Sequence, residues 1–113
     1  MRLSEIIELL SARIHTDIPD IHLAIDHGRA SDLLSDVLMY PAEKNSVLLT
    51  GLVNPQVIRT AEMMDIKAVV LVRNKQPTEE MISLAVENNI ILLSTHHKLF
   101  VCCGLLYSKG LRD

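Results

Sequence analysis

Aromatic side chains are almost missing from this sequence. It has no tryptophan, and Tyr40, Phe100 and Tyr107 make up the 3% that is aromatic in 113 residues. Proteins that hold single-stranded nucleic acid stack its bases on aromatic platforms, so the composition argues against that class. The core must then be built from Leu, Ile, Val, Met and Ala. An excess of positive charge is lacking too: 11 Lys and Arg stand against 14 Asp and Glu, for a net charge of −3. No basic stripe is present to neutralise a row of phosphates or to hold an anionic membrane. No apolar run approaches the roughly 20 residues that cross a bilayer. The N-terminus, MRLSEIIELL, carries acids inside its apolar stretch, unlike a signal peptide. The expectation is a cytoplasmic protein with neither nucleic acid nor membrane as a partner.

Cysteine is scarce as well. Cys102 and Cys103 are the only two and are adjacent in sequence. Neighbouring residues rarely reach disulfide geometry with each other, and spaced ligand pairs for zinc or an iron–sulfur cluster are absent. They read as structural thiols in a reducing compartment, with a vicinal redox pair as the alternative. The phosphate-loop pattern GxxxxGK[ST] is missing, as are GxGxxG, HExxH and GxSxG. The sequence therefore gives no catalytic residues, no metal ligands and no cofactor. His96-His97 has no carboxylate or thiol at helical spacing to complete a metal set, and adjacent side chains on a helix diverge. Asp26, His27 and Asp36 have no supporting nucleophile.

What the sequence does have is a beat. Short apolar runs alternate with amphipathic helical patterns, and helix-start residues mark the switches. Ser46 to Thr50 (SVLLT) leads to Asn54-Pro55, Ala68 to Val72 (AVVLV) to Pro77-Thr78-Glu79-Glu80, and Ile90 to Leu93 (IILL) to Ser94-Thr95. Apolar runs without alternation suit strands buried on both faces, and helices between them serve as parallel crossovers. Asn54, Pro77 and Thr95 are the expected helix openers, and Gly110 is the expected stop of the last helix.

Ahead of these units, Leu3, Ile6, Ile7, Leu10 and Ile14 predict a helix over 3–14. Asp17 to Asp20 (DIPD) breaks it. Ile21 to Ile25 (IHLAI) alternates like a half-buried strand, and Asp26-His27-Gly28-Arg29 reads as a turn. Ser31 or Asp32 caps a short helix facing inward through Leu33, Leu34, Val37 and Leu38, and residues 40–45 form a loop. The whole predicts one α/β domain over 1–113, with an N-terminal helix and loop over 1–20 and a core over 21–111. Its architecture is three-layer α/β/α around a mostly parallel sheet, with helices on both faces.

Ligands of open parallel sheets bind outside the carboxyl ends of the strands. Three such ends can be read: Thr50, Gly51 and Asn54; Arg73, Asn74 and Lys75; and Ser94, Thr95 and His96. Each precedes a helix N-terminus, whose backbone N–H groups favour an anion. These nine residues are the candidate site for a small anionic or nucleotide-like ligand, with simple helix capping and solvated turn residues as the plainer alternative.

The run LLTGLVNPQVIRTAEMMDIKAVVLVRNKQPTEEMISLAVENNIILLST (Leu48 to Thr95), preceded by SDLLSDVL (Ser31 to Leu38), resembles the DRTGG domain family. The likeness extends over about Ile21 to Leu111. The Asp-Arg and Thr-Gly-Gly that name the family are replaced here by Thr50-Gly51-Leu52-Val53-Asn54 and Val72-Arg73-Asn74-Lys75. The resemblance implies a fold similar to the N-terminal domain of HPr kinase/phosphorylase. It also implies a regulatory or dimerising role, a homodimer, and a separate enzyme as partner, hydrogenase-associated in the free-standing forms. It further suggests that Ser31 to Asp36 lies near a shared surface. The leading expectation is a non-catalytic regulatory or assembly module that dimerises and binds a partner enzyme. The alternatives are a ligand sensor and a small transferase acting on phosphorylated metabolites. The high apolar content, 49%, independently favours a symmetric dimer.

Overall fold

The computed structural model describes residues 1–39 and 43–113. Their elements are α1 (Leu3–Leu10), β1 (Arg13–Ile14), β2 (His27–Ala30), α2 (Leu34–Met39), β3 (Ser46–Thr50), α3 (Pro55–Met63), β4 (Ile66–Leu71), α4 (Glu79–Glu87), β5 (Ile91–Ser94) and α5 (Leu99–Ser108). The sheet order is β1-β5-β4-β3-β2. Strands β2 to β5 are parallel, and β1 joins the β5 edge antiparallel.

The apolar runs became the central strands. Every residue of β3 and β5 is buried, and in β4 only Lys67 is not fully so. Each of the three starts from a polar left-handed residue: Asn45, Asp65 and Asn89 have φ of 58°, 54° and 56°. Asn and Asp tolerate that conformation better than other non-glycine residues, so the chain reverses into each strand without needing glycine.

Because β2 to β5 lie in sequential order, crossovers of one hand must all fall on one face. Val37 of α2, Val57, Ile58 and Ala61 of α3, and Met81 and Ala85 of α4 pack there against Leu48, Val69, Leu71 and Leu92. The opposite face is left to the helices outside the crossovers. Leu3, Ile6 and Leu10 of α1 and Cys102 and Leu106 of α5 cover Val47, Leu49, Val70 and Leu93. Three layers result, and α1 is part of the second core.

Local expectations differ from the structure in four places. The first helix ends at Leu10, because Ser11 turns left-handed at φ 49°. Residues 13–14 then form β1, and Ile14 is exposed. Ile21 to Ile25 is not a strand: its backbone bonds instead to the start of the chain, Leu3 N–H to the Leu23 carbonyl and Ile25 N–H to that of Met1. The expected turn at His27-Gly28-Arg29 is the strand β2. Gly28 is there for packing, since a Cβ would lie 2.9 Å from Leu111 Cδ2. Of the inward face expected for α2, Val37 is buried, whereas Leu33 and Leu38 are exposed. The loop expected over 40–45 lies partly outside the described residues.

Candidate functional site

The carboxyl ends of β2 to β5 meet along one rim. After β4 the chain leaves for α4 on one face, and after β5 for α5 on the other. Such divergence of neighbouring loops is what opens a crevice in parallel sheets. Here the two loops are zipped together by backbone bonds. Arg73 N–H donates to the His97 carbonyl and Asn74 N–H to that of Thr95, both at 2.8 Å. Arg73 and Asn74 adopt left-handed φ of 57° and 60° to do this. The Arg73 side chain reaches the opposite way, over the β3 end.

There it meets Asp32, expected from the sequence as a helix cap or as part of a shared surface. Asp32 Oδ1 accepts the Gly51 N–H at 2.6 Å and the Thr50 hydroxyl at 3.3 Å, and Oδ2 pairs with Arg73 Nη2 at 3.3 Å. A carboxylate of the chain itself thus occupies the donors at the end of β3. Gly51 permits the close approach, since a Cβ there would lie 2.7 Å from Arg73 Nη2. Asp32 caps nothing; Ser31 Oγ takes the Leu33 N–H instead. The clue to Asp32 was its place two residues after β2, which was concealed by reading His27-Gly28-Arg29 as a turn.

Thr50, Gly51 and Arg73 are therefore brought together, through Asp32. Asn54 caps α3, its Oδ1 accepting the Gln56 N–H. Asn74 is pinned through its backbone, and Lys75 is exposed. Ser94 and Thr95 are buried beneath the rim. Ser94 Oγ is 2.7 Å from His15 Nε2, and Thr95 Oγ1 donates to the Leu10 carbonyl while accepting the His97 N–H. Thr95 is thus no helix cap; the N-cap of α5 is Lys98. Likewise Thr78, not Pro77, caps α4, its Oγ1 accepting the Met81 N–H.

His96 and His97 precede α5, and their rings meet at 4.1 Å instead of diverging along a helix. Unlike α3 and α4, α5 has no side-chain hydrogen bond at its N-cap. Of these three helices it has the start most open to an anion.

Among the described residues no group of three or more His, Cys, Asp or Glu is arranged to hold a metal ion. Burial pushes the Cys102 thiol up to about 11, with Cys103 adding to the effect, and burial also raises Cys103. Both stay protonated at neutral pH, as packing thiols do. Burial, aided by Arg13, lowers the pKa of His15. An open groove of about 870 Å³ runs along β2 as far as Ala30 and Ser31 at its carboxyl end, lined among others by Leu49, Leu106 and Tyr107. No helix among the described residues is long and apolar enough to cross a membrane.

No family model matches this chain, and no curated protein does. Among solved structures it is similar to the regulatory region of a Clostridium perfringens pyrophosphatase, solved as its CBS and DRTGG domains with the activator diadenosine tetraphosphate. The TM-score is 0.78 at 17% identity, over 93% of this chain and 45% of that one. The fold is DRTGG-like, and the three-layer α/β/α architecture expected from the sequence is borne out. The chain spans less than half the length of that neighbour.

Proposed function

We propose that this chain is a non-catalytic regulatory module that senses a small anionic or nucleotide-like ligand, dimerises and acts on a partner enzyme. The observation that carries the reading is the shared fold: the similar pyrophosphatase region is regulatory and was solved with a nucleotide activator. The rim supports it. Arg73, Lys75, His96 and Lys98 are exposed on the loops after β4 and β5, beside the start of α5. The remaining polar groups are already committed: Asp32 to its three donors, Ser94 to His15 and Thr95 to Leu10. That arrangement suits binding better than turnover.

Thermal shift with adenosine nucleotides, diadenosine polyphosphates and acetyl phosphate tests the ligand. A compound at 100 times its dissociation constant adds about 2.7 kcal/mol, a rise in Tm of about 10 °C for a domain of this size. Arg73→Ala and Lys75→Ala should weaken the response. Absence of a shift with every compound would refute ligand sensing. The partner enzyme, a hydrogenase component if the family resemblance holds, is tested by co-purification with the tagged chain from an anaerobic host.

A further inference from the structure

A domain this poor in aromatic residues would be expected to bury them. Both described aromatics are instead on the surface, on one helix: Phe100 is 88% exposed and Tyr107 61%. They are seven residues apart, two helical turns, and so share a face of α5. Gly104 lies between them, and a Cβ added there would meet nothing within 4 Å. Val101 and Ser108 complete this exposed strip. The ten residues of α5, LFVCCGLLYS, contain no charge. A helix apolar all round is ordinarily covered all round, yet only the side bearing Cys102 and Leu106 packs on the sheet. Tyr107 is also held in place, because the Arg112 guanidinium carbon is 3.7 Å from its ring centroid.

We infer that this face of α5 is the surface on which two copies of the chain pair, the helices crossing antiparallel at Gly104. The inference rests on the dimerising reading above and gives it a location. A two-fold axis through Gly104 puts Phe100 of each copy against Tyr107 of the other, so the surface complements itself, as an isologous contact requires. Glycine at the crossing lets the helices approach to the short end of the usual 8–10 Å. The strip's own residues carry no charge, and the Arg112 guanidinium beside them is engaged on the Tyr107 ring. Lys98 and Lys109 fall about a third of a turn or more from Gly104 round the helix, so the two-fold does not oppose them. Aromatic rings cover roughly 150–250 Å² each. With the exposures above, the four rings of a pair bury about 450–750 Å², and Val101, Gly104 and Ser108 bring the total to about 1,000 Å². That is the lower boundary of a specific interface, so association in the micromolar range is expected.

Sedimentation equilibrium from about 5 to 500 µM decides. The mass should rise from 12.6 kDa toward twice that value. Phe100→Lys and Gly104→Leu should each weaken association at least about tenfold without lowering Tm, and Met63→Lys, at a comparably exposed apolar position on α3, should leave it unchanged. In a Cys103→Ala background, Gly104→Cys should form a disulfide between copies on oxidation, and Met63→Cys should not. A wild-type chain that stays at 12.6 kDa overturns the inference, whether it is inert or binds lipid vesicles instead. A dimer indifferent to Phe100→Lys overturns this surface while leaving dimerisation itself standing. Neither result touches the nucleotide thermal shift, which tests ligand sensing separately.

Discussion

Replacing Asp32 with alanine removes three contacts at once, and their worth follows from their exposure. The bond from the Gly51 N–H, 2.6 Å long, goes to a charged acceptor, a class worth about 1.5–3 kcal/mol. Water can replace Asp32 at this half-open rim, so the lower end applies. The Arg73 pair has side chains 51% and 42% exposed, which places it among surface ion pairs of about 0.2–1 kcal/mol. Thr50 keeps its second bond, from the Leu52 N–H, and loses little. The total is about 2 kcal/mol, a fall in Tm of about 8 °C for a domain of this size. Asp32→Asn keeps an acceptor for Gly51 and should fall between the two. Arg73→Ala alone should cost about 2 °C. A double-mutant cycle on Asp32 and Arg73 should give a coupling of about 0.5 kcal/mol that shrinks in 1 M salt, where the screening length is about 3 Å. Thermal melts of Asp32→Ala within about 1 °C of wild type would refute the view that this carboxylate anchors the rim.

Three further outcomes follow from other contacts. Gly28→Ala presses a methyl against Leu111 Cδ2, a movable side-chain end 2.9 Å away, and should cost about 1 kcal/mol in urea unfolding; Leu111→Ala in the same chain should remove most of that penalty, and additive losses would contradict the packing explanation. His15 is held below its ordinary value of 6.5 by burial and Arg13. The unfolded chain therefore binds more protons just below pH 6.5, so stability is full above that pH and falls as pH drops toward the folded value. Tm should decline between about pH 7 and 5 in wild type and decline less in His15→Gln, and equal slopes would count against this assignment. With its thiol pushed up to about 11, Cys102 should react with iodoacetamide at neutral pH more than about a hundredfold slower than free cysteine, and fast labelling would revive a redox role.

The central strands were legible because their burial is symmetric. A strand covered on both faces needs apolar residues throughout, and SVLLT, IKAVVL and ILLS show that locally. The cap at Asn54 was legible for the same reason, since a cap acts within three residues of itself, whereas α4 is capped by Thr78, one residue past the expected opener Pro77. The edges were not. His27-Gly28-Arg29-Ala30 has one neighbouring strand and a glycine required by Leu111, more than eighty residues further on. No local pattern encodes that contact. Arg13-Ile14 is a strand only because the backbone of β5 lies beside it. Asp32 was overlooked as a consequence, since its position gains meaning only once β2 is placed. The nine candidate residues lie at or just beyond the carboxyl ends of β3 to β5, but Ser94 and Thr95 are buried hydroxyls whose partners, His15 and Leu10, come from the far end of the chain.

Helix α5 joins the proposed ligand rim and the proposed pairing face. Its start adjoins the loops of Arg73 and His97, and the first exposed ring, Phe100, follows two residues after its N-cap. A ligand at the rim and a second copy on the outer face would therefore act on the same ten residues. If binding an anion moves or stiffens the first turn of α5, Phe100 moves or stiffens with it, and pairing responds. Linkage then requires the reverse with the same factor: the dimer must bind the ligand tighter or weaker than the monomer does. The apparent affinity for nucleotide should accordingly depend on protein concentration in wild type and lose that dependence in Phe100→Lys. Titrations at about 2 and 200 µM chain decide it, because this span brackets micromolar association. Identical affinities at both concentrations, in a chain shown to dimerise between them, would mean that the rim and the outer face are independent.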